Sequence, residues 1–147
     1  MEEKSVFETF ELNFSNQITG YLKEISTWSY FLSIIGFIGI GFMVLFGALF
    51  GTILGDMPND PYEAIGLNMG YFGLIYIVIA LVYFFPVLYL FNFSRKMKSA
   101  LATKNNDDLS SAFGNLKSHY KFLGIFTIVI ISLYLLMFVA AFIGSMV

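Results

Sequence analysis

Long stretches without any charge alternate with short charged connections along this chain. Asp, Glu, Lys, Arg and His are absent from residues 25–55, 64–94 and 122–147, and each run exceeds the roughly 20 apolar residues that cross about 30 Å of hydrocarbon. The pattern predicts an all-α integral membrane protein with three transmembrane helices. Helical spacing continues beyond the runs. Met97 and Leu101 prolong the second span, while Leu109, Phe113, Leu116 and Tyr120 recur at i, i+4, i+7 and i+11 before the third. Two such stripes can face each other, which predicts a helical hairpin over about residues 95–121. The turn falls at Lys104, Asn105, Asn106, Asp107 and Asp108, where Asn and Asp oxygens accept from free backbone N–H groups and carboxylates suit the positive end of a helix. That capping role is a simpler reading of Asp107 and Asp108 than a metal site.

In SNQITGYLKEISTWSYFL, the residues Ile18, Leu22, Ile25 and Leu32 share a helical face, with Ser15 as N-cap. This predicts an N-terminal amphipathic extension, either lying in the membrane interface or continuous with span one. Continuity is favoured, since no Pro or Gly pair interrupts residues 21–35. Residues 1–14 lack a clear pattern and are expected to be partly disordered, so the domain organisation is a terminal segment, 1–14, and one three-helix transmembrane domain, 15–147.

Composition agrees with the bilayer as solvent: 58% of residues are hydrophobic, mean hydropathy is +0.78 and only 12% are charged, far from soluble norms. Zero cysteines excludes disulfides, thiol catalysis and cysteine-bound metals. The acids Glu2, Glu3, Glu8 and Glu11 argue against a cleaved signal peptide.

The distribution of charge adds an orientation. Arg95, Lys96, Lys98, Lys104, Lys117 and Lys121 lie between spans two and three, Lys4 and Lys23 precede span one, and residues 56–63 hold no basic residue. Because Lys and Arg near spans stay on the cytoplasmic side, the N-terminus and the basic hairpin are expected inside, and residues 56–63 and the C-terminus outside. Trp28, Tyr30 and Tyr120 would mark the inner interface, and Tyr62 and Tyr71 the outer one. Lys23, Arg95, Lys96, Lys98, Lys117 and Lys121 are candidate contacts for anionic lipid headgroups.

Within the spans, small residues recur at four-residue spacing: Gly47, Gly51 and Gly55 in the first, Gly66 and Gly70 in the second, Ala140 and Gly144 in the third. This spacing lets helix backbones approach, so these positions are candidate helix-packing or partner contacts at the outer side. Pro86 removes a donor to the carbonyl of Val82 and predicts a kink there. Among polar residues in the spans, Asn68 and Asn92 need partners, whereas Ser and Thr can bond back to their own helix. No ionisable residue sits at mid-membrane, where proton relays and ion-coupled transporters place one. His119 stands alone, and no set of nucleophile, base and orienting group can be assembled. The expectation is therefore a non-enzyme with no cofactor, no metal and no nucleic-acid partner.

The run YFFPVLYLFNFSRKMKSAL, the turn NND and the segment SSAFGNLKSHYKFLGIFTIVIISLY resemble a family of small multi-pass bacterial inner-membrane proteins catalogued only as a domain of unknown function. The likeness extends over roughly residues 18–136, including YLKEISTWSYFLSIIGFIGIG. It implies a bacterial inner-membrane location and the same hairpin, and it supplies no activity. The functional expectation is a non-catalytic accessory or scaffold subunit of a larger membrane assembly, acting through helix packing. The alternative is a homo-oligomeric small channel or carrier, since three helices alone enclose no pathway.

Overall fold

The computed structural model describes residues 16–58, Tyr62 and 66–144. It contains three helices, α1 (Asn16–Gly55), α2 (Tyr71–Thr103) and α3 (Asn106–Gly144), and no strand among the described residues. All three are long and apolar enough to cross a membrane. The expected disordered segment 1–14, the Ser15 cap and the last three residues of the third span lie outside the described residues, as do 59–61 and 63–65 of the first connection.

α2 is the central helix. It packs against α1 over one face and against α3 over another, and α1 and α3 do not pack on each other. α1 is unbroken for 40 residues, so residues 18–25 continue span one rather than forming a separate helix. Its buried face is not the apolar stripe read from the sequence. Ile18, Ile25 and Leu32 are exposed and Leu22 is half-buried, while Ser26, Ser29, Ser33 and Gly47 are buried against α2. Lipid chains are as apolar as Leu, so large aliphatic side chains gain little by facing another helix. Small side chains do gain, through close backbone approach. Ser26, Ser33, half-buried Ile40 and Gly47 stand seven apart, the repeat that keeps one seam facing a neighbouring helix.

The second contact lies between the end of α2 and the start of α3. Phe93, Met97 and Ala112 are buried there, with Leu90, Leu101, Leu109, Leu116 and Leu22 packed around them. Met97, Leu101, Leu109 and Leu116 meet in this contact. Phe113 and Tyr120 instead point outward, Tyr120 at 65% exposure. The face is centred on Ala112, whose small side chain brings the helices together.

α2 begins at Tyr71, seven residues after the charge-free run starts, because Gly66 takes a left-handed conformation (φ 73°) and residues 66–70 turn rather than coil. It then runs through Pro86 as one helix to Thr103. At the far side of the molecule, α3 residues 131–144 are exposed throughout.

Candidate functional site

Two regions concentrate the chemistry-bearing residues, one at each end of the α1–α2 pair. At the end formed by the first connection, backbones of α1 and α2 nearly touch. A methyl group added at Gly73 would meet the carbonyl oxygen of Gly47 and stand 2.5 Å from the Cα of Gly51, and one at Gly70 would stand 2.8 Å from the Gly51 carbonyl oxygen. Gly47, Gly51 and Gly55 thus face Gly70 and Gly73 within the monomer. Gly73, the tightest of these positions, lies three residues after Gly70, outside the four-residue spacing of Gly66 and Gly70. Gly66 and Gly144 have nothing near them, and Ala140 is exposed, so these three stand apart from the crossing.

Asn68 closes that end. Its side-chain amide donates to the carbonyl of Gly55, the last residue of α1, at 3.2 Å, and its side-chain oxygen accepts from the N–H of Gly70 at 2.6 Å. One side chain therefore serves two otherwise unpaired helix ends, which answers its need for partners.

The opposite end holds the basic residues. Asn105 caps α3, accepting from the N–H groups of Asp107 (2.8 Å) and Asp108 (3.4 Å). Lys104, the residue before it, adopts the left-handed conformation (φ 52°) that terminates α2. Asp108 reaches back to α2, accepting from Ser99 Oγ at 2.5 Å and pairing with Lys96 Nζ at 2.9 Å. The Ser99 hydrogen bond, then the Lys96 ammonium, lower the Asp108 pKa below its ordinary 3.8. These bonds tie α2 to α3 across the turn, with the caps expected of Asn105 and with Asp108 acting as a cross-helix partner.

The other basic residues differ in surroundings. Lys98 Nζ lies 4.5 Å from the ring centre of Tyr30, and Arg95 lies 5.6 Å from that of Phe91. Lys117 and Lys121 stand on α3 away from the face that packs on α2, and form no ion pair among the described residues. Below this basic layer the polar groups turn inward. Ser94 Oγ donates to the carbonyl of Ser26 at 2.7 Å, a buried bond between α2 and α1, while Ser26 and Ser33 bond back to Lys23 and Tyr30. His119 Nδ1 lies 2.7 Å from the carbonyl of Pro86. A carbonyl only accepts, so Nδ1 carries the hydrogen and the imidazole ties α3 to α2.

A membrane protein of three helices, with two of them docked on a central third and the polar groups gathered at helix ends, is the class that these features define. The chain belongs to the family of unknown function DUF5362, whose model matches residues 66–142. That match takes in α2, the turn and nearly all of α3. No curated protein and no solved structure matches the chain.

Proposed function

We propose that this protein is a non-catalytic accessory or scaffold subunit of a larger assembly in a bacterial inner membrane, acting through helix packing. The observation that carries the reading is α3. Residues 131–144 are exposed on every side, although α1 and α2 have used their small-residue faces on each other. A stretch of helix that is largely apolar and exposed on every side offers its surface either to lipid or to another helix. Ala140 and Gly144 give that exposed stretch a place where a second backbone can approach closely. The basic residues at the hairpin support an orientation with hairpin and N-terminus cytoplasmic and residues 56–63 outside.

The test is extraction from native membranes in mild detergent, followed by identification of co-migrating proteins. A stoichiometric larger partner is the expected result, and replacing Ala140 and Gly144 together by Phe should release it without lowering the thermal stability of the isolated chain. A complex made of this chain alone would instead favour a homo-oligomeric channel or carrier.

A further inference from the structure

The hydrogen bonds between helices fix their relative heights, and those heights do not suit a flat leaflet surface at right angles to the helices. Ser94 of α2 is level with Ser26 of α1, so the first charges on these two helices, Glu24 and Arg95, fall at nearly one height. His119 of α3 is level with Pro86 of α2, so Lys121 is level with Phe84. Charge on α3 therefore extends about eleven residues, or roughly 16 Å, further toward the glycine end than on α1 and α2. At the same height as Lys117 and Lys121, the outer face of α1 carries Phe31, Leu32 and Ile35, all exposed. Perpendicular insertion would leave either those lysines in hydrocarbon or those large side chains in water.

We infer that the molecule sits tilted in the bilayer, with the start of α3 lying against one leaflet surface and Lys117 and Lys121 placed among anionic lipid headgroups. Tilt reconciles the heights because α1 and α3 lie on different faces of α2. With neighbouring helices 8–10 Å apart and lysine stems able to reach toward the surface, a tilt of roughly 30° is enough, within the range of membrane helices. The length of α1 points the same way: its charge-free residues 25–55 extend about 46 Å, against about 30 Å of hydrocarbon. Charge selects the lipid. No acid follows Asp108 in the chain, Lys96 is neutralised by Asp108, and Lys98 and Arg95 lie over aromatic rings. Of the other described lysines, Lys23 is followed by Glu24 and Lys104 sits at the tip of the hairpin, whereas Lys117 and Lys121 have no acid near them in sequence and are the ones placed to hold phosphate. The inference rests on the helices crossing a membrane and is independent of the accessory-subunit reading.

Trp28 is the only tryptophan, so depth can be measured by quenching with brominated lipids. The wild type reports α1, and Tyr120→Trp in a Trp28→Phe background reports α3. Perpendicular insertion puts these indoles about 11 Å apart in depth. The tilted arrangement puts them at the same level. In nanodiscs of mixed phosphatidylglycerol and phosphatidylcholine, native mass spectrometry should then find retained phosphatidylglycerol reduced about fivefold or more by Lys117→Gln with Lys121→Gln, and little changed by Lys98→Gln. Indole depths that differ by about 10 Å, or a lipid preference that survives the double substitution, would overturn the proposal.

Discussion

At Gly73 an added methyl group would lie 2.5 Å from the Cα of Gly51 and 2.6 Å from its nitrogen, and backbone atoms of two packed helices cannot move aside for it singly. Gly51 differs although it belongs to the same crossing. A methyl there meets the Gly70 carbonyl oxygen and the Gly73 Cα at 3.5 Å, which is ordinary contact. Thermal unfolding in detergent should therefore separate two substitutions that look equivalent in sequence. Gly73→Ala should lose about 1–3 kcal/mol by overpacking, while Gly51→Ala should be neutral or slightly stabilising. Lys104 offers the opposite case. A non-glycine residue pays about 1–2 kcal/mol in the left-handed region, so Lys104→Gly should raise stability by about 1 kcal/mol. A decrease would mean that the Lys104 side chain contributes more than its backbone costs.

Among the elements, the α2–α3 hairpin is the one whose cohesion depends on pH. The folded pKa of Asp108 lies below the unfolded value, because Ser99 and Lys96 stabilise its carboxylate. Its contribution is then complete above the unfolded value, near 3.8, and is lost as pH falls through the lower folded one. Protection against hydrogen exchange at Leu101 and Leu109, taken relative to the intrinsic rate at each pH, should fall only in that acid range in the wild type. Asp108→Asn should show the lower protection already at pH 7 and little further loss of protection in acid. Equal exchange in both proteins would place the strength of the hairpin in the Phe93, Met97 and Ala112 packing alone.

For the whole molecule, the decisive quantity is which end faces the cytoplasm, and the cysteine-free chain makes it measurable. Single substitutions Met57→Cys and Asn106→Cys place thiols at exposed positions of opposite ends. With an impermeant maleimide on intact cells, Met57→Cys should be labelled, and Asn106→Cys only after permeabilisation. The reverse labelling would invert the orientation derived from the basic residues and leave the fold unaffected.

The sequence by itself determined the number of helices long and apolar enough to cross a membrane, the turn at Lys104 and Asn105, and the family. These depend on local quantities: the hydropathy of a continuous run, the capping oxygen of an Asn, and strings of neighbouring residues. Only the tertiary structure decided which faces meet. The stripe of Ile18, Ile25 and Leu32 is legible as one helical face, but only the fold shows that this face is turned outward. The serines between those residues face α2, because lipid removes the penalty for exposing aliphatic side chains and leaves close packing as the discriminating term. Gly73 is indistinguishable from other membrane glycines until Gly47 and Gly51 are set against it. Asn68 was legible as needing partners, but not that they would be the ends of two different helices. The relative heights of α2 and α3 are likewise absent from any local pattern, since they are fixed by bonds such as His119 to Pro86 between residues 33 apart.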